Sequence, residues 1–137
     1  MAAPGIKGLW HVALKVTDIN RSRAFYESLF GMAVVWSPDP GSVYLSSGRD
    51  NLALHQMPAA DAASYRQGRG QFLDHVGMLV DSPETVDRLF QRVEREGIPV
   101  VHRPKHHRDG SYSCYVTDPD GNTVQILFEP TISRASN

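Results

Sequence analysis

The sequence lacks several features that would assign it to a specialised class of protein. It has one cysteine, Cys114, in 137 residues, which excludes an internal disulfide and fits a reducing compartment. Its formal charge of −1 gives no electrostatic reason to expect nucleic acid or an anionic membrane as a partner. No apolar run approaches the roughly 20 residues of a membrane helix, and MAAPGIKG does not resemble a signal peptide. We therefore expect a soluble cytoplasmic protein.

Several well-known catalytic motifs are also missing. The sequence contains no P-loop, no G-x-S-x-G nucleophile motif and no dinucleotide-binding fingerprint. It does contain 41% hydrophobic residues, which is enough for a core, and 21% charged residues, which argues against global disorder. At this length the chain fits one compact domain, or two small halves that share a core.

The chain repeats one order of elements: a strand, a helix and three more strands. The first half begins with WHVALKV and the second with DHVGMLV, and the second half ends with TVQILFE. We place module one at about residues 7–57, a linker at about 58–70, and module two at about 71–130, within one domain of residues 1–137. A short helix is expected in the linker, around residues 60–66.

The first helix is predicted within TDINRSRAFYESLFGM, with Asp18 or Asn20 as its N-cap and Gly31 at its end. Its inner stripe is expected to consist of Ala24, Phe25, Ser28 and Leu29. In module two, Ser82 is the candidate N-cap of the equivalent helix, and Gly97 is expected to close it.

Four polar residues occupy two pairs of matching positions in the repeat. His11 aligns with His75, and aligning SSGRDNLALH with TDPDGNTVQ places His55 against Gln125. In each of the four strands the apolar residues have the opposite parity, so they face the other side. Because the apolar faces must be covered by the helices, we expect the four polar residues to share the remaining, concave face.

The segments HVALKVTDINRSRAFYESLFGM, LDHVGMLVDSPE and YVTDPDGNTVQIL together span most of residues 7–130. This combination resembles the vicinal oxygen chelate superfamily, which includes glyoxalase I, fosfomycin- and bleomycin-resistance proteins and extradiol dioxygenases. The resemblance implies an α+β fold in which two βαβββ modules form an open, U-shaped mixed β-barrel, with the helices outside.

The resemblance also implies a divalent-metal site formed by the first and last strands of each module. Those positions hold His11, His55, His75 and Gln125, and His55 is expected to be the fourth ligand or a general base. Substrates of the family commonly chelate the metal through adjacent oxygens, and the metal acts as a Lewis acid. The ligands come either from one chain or from two chains of a dimer.

Gln125 departs from the family pattern, because a glutamate ligand usually stands at this position. Glyoxalase I often has a carboxylate at the position of His55 as well. Without these carboxylates, the site lacks the usual base of glyoxalase I and the acidic ligand of the dioxygenases. A set of imidazoles and one amide leaves the charge of the ion uncompensated, so an anionic chelating ligand is expected. Nitrogen-rich ligation favours Fe, Zn, Ni, Co or Mn over Mg or Ca.

The segment HRPKHHRDGSY, residues 102–112, is unusually rich in histidine and basic residues. We expect His102 and Lys105 to lie on a solvated hairpin. His107, Arg108 and Tyr112 are candidates to hold an anionic substrate at the mouth of the cavity. Cys114 is expected to pack in the interior rather than to act as a thiolate nucleophile.

The sequence therefore predicts a metal-dependent enzyme that is glyoxalase-like (a lyase or isomerase) or a ring-cleaving dioxygenase, and that acts on a small oxygen-chelating substrate. The alternative is a metal-free protein of the bleomycin-resistance type, which sequesters its ligand. The resemblance further implies a homodimer.

Overall fold

A computed structural model describes residues 3–66 and 71–133 of the chain. The backbone divides into two units, residues 1–66 and 67–137. Each unit contains the predicted βαβββ order, so the α+β class and the two modules are confirmed. Among the described residues, no helix is long and apolar enough to cross a membrane.

The first unit is a mixed four-stranded sheet with one main helix. Its elements are β1 (His11–Val16), α1 (Ile19–Phe30), β2 (Ala33–Asp39), β3 (Ser42–Ser46) and β4 (Asn51–Gln56). The strand order is β1-β4-β3-β2, with β1 parallel to β4 and the other neighbours antiparallel. A short helix, α2 (Ala59–Ser64), follows in the predicted linker, of which residues 67–70 lie outside the described residues.

The second unit has the same topology. It contains β5 (Val76–Leu79), α3 (Pro83–Arg95), β6 (Val100–His106), β7 (Tyr112–Thr117) and β8 (Thr123–Phe128), followed by the short α4 (Pro130–Ser133). The strand order is β5-β8-β7-β6, and β5 is again parallel to its neighbour β8. His75, which we placed inside a strand, directly precedes β5.

In each unit the apolar face of the sheet packs against its own helix, as the strand parity predicts. In the first unit, Leu14, Val16, Leu52 and Leu54 are buried and α1 contacts β3 and β4. In the second unit, Val124 and Ile126 are buried, as are Val86, Phe90 and Val93 of α3. The opposite face of each sheet is therefore the one that can carry a polar site.

The predicted inner stripe of α1 is confirmed at Leu29 and wrong at Ala24 and Ser28. The buried residues are Ile19, Ser22, Tyr26 and Leu29, whereas Ala24 and Ser28 are exposed and Phe25 is half-buried. The Asp18 carboxylate accepts hydrogen bonds from the backbone N–H groups of Asn20 and Arg21, and this cap fixes where the helix begins. From that start, a 3.6-residue period carries Tyr26 inward and places Phe25 at the edge of the buried stripe.

Candidate functional site

His11 is held in one tautomer by its neighbour on β4. Its Nδ1 lies 2.6 Å from the Asn51 side-chain oxygen, which can only accept, so Nδ1–H is the donor. The two residues are register partners in the parallel β1–β4 pair, so the contact follows directly from the strand alignment. Nε2 of His11 is therefore the nitrogen that keeps its lone pair, as a metal ligand requires.

The His11 ring forms part of an aromatic cavity in the first unit. The ring centroid lies 5.9 Å from that of Trp10 and 5.9 Å from that of Tyr44, and both pairs are stacked. Trp36 packs on Tyr44 with centroids 4.9 Å apart. These residues and Asn51 line a cavity of about 510 Å³ with almost no polar surface. Its walls suit the flat, apolar body of a small molecule.

His75 in the second unit has an equivalent arrangement. Its Nδ1 lies 2.7 Å from the Asp74 carboxylate, so it donates there and Nε2 again keeps the lone pair. The acceptor is a carboxylate rather than an amide, and an outer hydrogen bond of this kind is typical of a metal-ligating histidine. The two histidines at matching positions thus carry the same tautomer, although their partners come from different positions in the modules.

The hydrogen-bonded register of β1 with β4 and of β5 with β8 corrects the predicted alignment of the last strand of each module. Val12 pairs with Leu52 in the first unit, and Val76 pairs with Val124 in the second. The counterpart of Gln125 is therefore Ala53, and the alignment of His55 with Gln125 was wrong by two residues. His55 stands on the same face, further along β4, where it is half-buried.

His55 belongs to the same face of the first sheet as His11 but is separated from it by Tyr44. Its ring centroid lies 5.8 Å from that of Tyr44 in an edge-to-face contact. Its Nδ1 lies 3.2 Å from the hydroxyl oxygen of Ser42, its register partner on β3. His55 is therefore a neighbour of the aromatic cavity rather than an adjacent partner of His11.

Gln125 anchors a polar network on the second sheet. Its side-chain nitrogen donates to the Tyr115 hydroxyl at 2.9 Å and to the Ser113 hydroxyl at 3.2 Å. Both donor hydrogens of the amide are thereby used, and its oxygen Oε1 accepts from no described residue. This oxygen lies over Gly77, where a Cβ atom would approach it to 3.4 Å. Gln125 thus presents an amide oxygen on the sheet face that also carries Tyr115 and Ser113.

A cavity of about 750 Å³ opens on this face of the second sheet. Tyr115 is at its centre, with the rings of His75 and His102 in edge-to-face contact at 5.4 and 5.6 Å. The other polar or charged lining residues are Asp74, Arg103, Lys105, His107, Ser113 and Thr123. The cavity is therefore rich in imidazole and cationic side chains.

The candidate substrate residues of the 102–112 segment divide between two faces. His107 lines the cavity, and its Nε2 lies 3.1 Å from the Ser113 hydroxyl oxygen. Arg108 is exposed and is not among the lining residues. Tyr112 faces α3 instead, where its hydroxyl donates to Asp87 at 2.6 Å, and this hydrogen bond raises the pKa of Tyr112 to about 12.

His102 and Lys105 are exposed on the β6–β7 hairpin, as expected, and they also line the cavity. The sequence pattern missed their place in the lining because β6 pairs with β7 through two register shifts, which break the simple alternation of faces. The signal that was available is the high density of histidine and lysine in this segment. The sheet face on which each residue lies could not be assigned from the sequence, because the positions of the two bulges were not known.

Cys114 is buried against the helix side of the second sheet, as expected. Burial raises the pKa of the Cys114 thiol to about 12, with a smaller contribution from Asp87. At pH 8 we expect native protein to react with iodoacetamide roughly 10³-fold more slowly than an unfolded-chain thiol with a pKa near 8.5, because thiolate is the reactive form. Alkylation followed by mass spectrometry tests this, with urea-unfolded protein as the control. Rapid labelling of the native chain would contradict it.

The donor set can be compared with what a metal ion requires. Nitrogen and amide-oxygen donors suit borderline ions such as Zn, Ni, Co and Fe(II), and the two fixed imidazole tautomers leave Nε2 available in each unit. Among the described residues, no group of three or more His, Cys, Asp or Glu side chains is gathered for metal binding. The Nε2 atoms of His11 and His75 and the amide oxygen of Gln125 are donors of the kind that these ions accept.

Comparison with known proteins gives consistent matches. The model of the Glyoxalase/Bleomycin resistance protein/Dioxygenase superfamily matches residues 8–126. A probable trivalent organoarsenical cleaving enzyme of Bacillus subtilis is 30% identical over 90% of this chain and 82% of its own length. The 2,2',3-trihydroxybiphenyl dioxygenase of Sphingomonas paucimobilis is 29% identical over 92% of this chain, which spans only 42% of that protein.

A solved structure shares the fold. The crystal structure of lactoylglutathione lyase from Agrobacterium tumefaciens superimposes with a TM-score of 0.70 at 27% identity, covering 90% of this chain and 95% of that one. The three proteins differ in the reactions that their names state.

Proposed function

This chain belongs to the Glyoxalase/Bleomycin resistance protein/Dioxygenase superfamily, and we propose that it is a metal-dependent enzyme acting on a small oxygen-chelating substrate. The observation that carries the proposal is the matched pair of imidazoles. His11 and His75 each donate Nδ1–H to a side-chain oxygen, which leaves Nε2 free. This outer hydrogen bond is the usual companion of a metal-ligating histidine.

We assign His11 as a metal ligand in the first unit, and His75 and Gln125 as metal ligands in the second. The bound ion would supply Lewis-acid stabilisation of charge that develops on a substrate oxygen. Asn51 and Asp74 act through the histidines by fixing their tautomer and ring orientation. Tyr115 and Ser113 hold the Gln125 amide by accepting its two N–H hydrogens, which keeps its oxygen available.

His55 is better suited to be a base than a ligand. In the hydrogen-bonded register of the strands, Ala53 is the residue equivalent to Gln125. His55 is therefore not the counterpart of the proposed ligand Gln125. Its contact with the Ser42 hydroxyl fixes the imidazole beside the aromatic cavity. An uncoordinated imidazole accepts and returns a proton near neutral pH, which is what an isomerase or lyase needs when no carboxylate is present.

The names of the relatives state different reactions, and the residues of this chain suit some of these reactions better than others. Trivalent arsenic is a soft centre that prefers thiolate ligands, and the only thiol of this chain, Cys114, is buried with its pKa raised to about 12. We therefore do not propose organoarsenical cleavage. The aromatic cavity beside His11 suits a ring-bearing substrate, whereas His55 suits proton transfer. A dioxygenase and a lyase or isomerase are thus the two reaction classes to separate.

Elemental analysis tests the proposal most directly. We expect protein purified without added ions to carry Fe, Zn, Ni, Co or Mn in stoichiometric amount, and chelator-treated protein to rebind one of them. A natively folded protein that contains none of these ions and binds none on titration would overturn the proposal. That result would favour the ligand-sequestering alternative of the bleomycin-resistance type.

Two assays then distinguish the reaction classes. Oxygen consumption with catechols would identify a dioxygenase, and anaerobic turnover of a hemithioacetal would identify a lyase or isomerase. A His55→Gln variant, which keeps a polar side chain but cannot shuttle protons, should lose anaerobic turnover while it keeps the metal. Homodimer formation, which the resemblance implies, stays a prediction.

A further inference from the structure

We propose that His107 is a positioning residue, which acts through Ser113 on the Gln125 side chain and sets which end of that amide, the oxygen or the nitrogen, is left free. The consequence for metal binding rests on the proposed function, in which the Gln125 oxygen is a ligand. The orientation of the amide needs no metal, so it can be tested by itself.

A glutamine side chain can occupy its site in two orientations, which exchange the amide oxygen with the amide nitrogen. In the observed orientation, the Gln125 nitrogen donates to the hydroxyls of Ser113 and Tyr115, at 3.2 and 2.9 Å. In the reversed orientation, the oxygen would accept a hydrogen from each hydroxyl instead, because a hydroxyl both donates and accepts. The two hydroxyls alone therefore do not choose between the orientations, and a further group must do so.

The Ser113 hydroxyl is the group on which this choice depends. Ser113 is 1% exposed, and among the described residues its oxygen has two side-chain partners, the Gln125 nitrogen and, at 3.1 Å, Nε2 of His107. The amide nitrogen can only donate, so the hydroxyl hydrogen is left for His107 Nε2, which accepts it when the ring proton is on Nδ1. A hydroxyl that donates to His107 offers only lone pairs to Gln125. The amide must then turn its nitrogen toward Ser113.

The opposite end of the amide lies where no side chain covers it. Oε1 of Gln125 accepts from no described residue, and it lies over Gly77, where a Cβ atom would approach it to 3.4 Å. Gly77 is the register partner of Gln125 on β5, and its lack of a side chain leaves room beside the oxygen. The orientation that His107 sets therefore presents an uncovered oxygen, which has the lone pair that an N–H group lacks.

The turn that carries His107 holds this residue in place although it is exposed. The His107 N–H donates to the Ser111 carbonyl at 2.9 Å, and the His107 carbonyl accepts from the Gly110 N–H at 3.1 Å. Gly110 has a φ of 87°, in the left-handed region that glycine adopts without strain. The Asp109 carboxylate accepts from the Ser111 N–H at 2.9 Å. Because these bonds fix the backbone, the imidazole can serve as a fixed acceptor.

Hydrogen exchange of the Gln125 side-chain amide in metal-free protein tests the orientation, and NMR identifies its resonances by their loss in Gln125→Glu. His107→Phe keeps a ring but removes the acceptor, so the Ser113 hydrogen turns to the amide and favours the reversed orientation. Both amide hydrogens then leave the two hydroxyls, and we expect their exchange to become at least roughly tenfold faster. Unchanged exchange in His107→Phe would overturn the inference.

His106→Phe is the matched control for this exchange measurement. It makes the same substitution one residue earlier, at an exposed imidazole that packs on Tyr112 instead. Exchange of the Gln125 amide should stay within about twofold of the parent chain, since the hydrogen bonds of Ser113 are unaffected. Equal acceleration in His106→Phe and His107→Phe would also overturn the inference.

Chelator competition measures the consequence for the metal. In His107→Phe, the ligand-competent orientation leaves the buried Ser113 hydrogen without an acceptor, so we expect metal affinity to fall roughly tenfold. The same substitution in the Gln125→Glu background should change affinity by less than about twofold, because a carboxylate has an oxygen at both ends. Equal losses in the two backgrounds would indicate a general structural effect and overturn the inference.

The two measurements separate this inference from the proposed function. Faster amide exchange in His107→Phe, in a protein that binds no metal, would leave the inference standing while the proposed function fails. Metal binding by a parent chain whose amide exchange does not respond to His107→Phe would do the reverse. Circular dichroism confirms that each variant is folded.

Discussion

Replacement of His75 by alanine is expected to weaken binding of the divalent metal by at least roughly a hundredfold, and His11→Ala is expected to do the same. Each change removes a nitrogen donor whose lone pair is set by an outer hydrogen bond, to Asp74 or to Asn51. Loss of a direct ligand should exceed the tenfold to hundredfold effect that is typical of an outer partner. Asp74→Ala should therefore give a smaller loss than His75→Ala.

Competition with a chromogenic chelator measures this, together with elemental analysis of each purified variant. The matched control is His106→Ala, which removes an exposed imidazole that packs on Tyr112, at 4.4 Å between ring centroids. It lies outside the lining of the two cavities to which His11 and His75 contribute. Equal metal content in His11→Ala, His75→Ala and the parent chain would contradict the assignment of His11 and His75 as metal ligands.

Gln125→Glu should have the opposite effect on metal binding and raise the affinity by roughly tenfold to a hundredfold. A carboxylate carries a full negative charge and compensates a divalent ion better than an amide oxygen does. The replacement is nearly isosteric, and the Tyr115 and Ser113 hydroxyls need only rotate to become donors. The network therefore survives with its hydrogen bonds reversed.

The same chelator competition measures the gain. Gln91→Glu provides the matched control, because it makes the identical chemical change at an exposed site on α3, beside the helix face of the second sheet. It should leave metal affinity unchanged. If Gln125→Glu and Gln91→Glu have equal affinities, Gln125 is not a ligand, whatever the histidines do.

The error in the position of His55 shows where sequence patterns lose resolution. A shift of two residues along a strand keeps every side chain on its face, so the alternation of Leu52, Leu54 and His55 is compatible with either alignment. Only the hydrogen-bonded register, Val12 with Leu52 and Val76 with Val124, identifies Ala53 as the counterpart of Gln125. The turns before β4 and β8 differ in length, so they did not fix the alignment.

Phe25 and His102 illustrate two other limits. A run of adjacent aromatic residues leaves the phase of a helix open by one position, and the Asp18 cap decided it in favour of Tyr26. Along β6, bulges interrupt the period of two on which any assignment of faces depends. Both decisions rest on hydrogen bonds whose geometry local composition does not encode.

The sequence by itself determined the repeated βαβββ order, the apolar face of each sheet and the opposite, helix-free face to which we assigned His11, His75 and Gln125. These follow from hydrophobic periodicity, which is a local property of the chain. The tertiary structure alone decided which nitrogen of each imidazole is free, which residue lies opposite Gln125, and which cations line the cavity beside Tyr115. These depend on contacts between strands that are distant in sequence, and such contacts exist only once the register is formed.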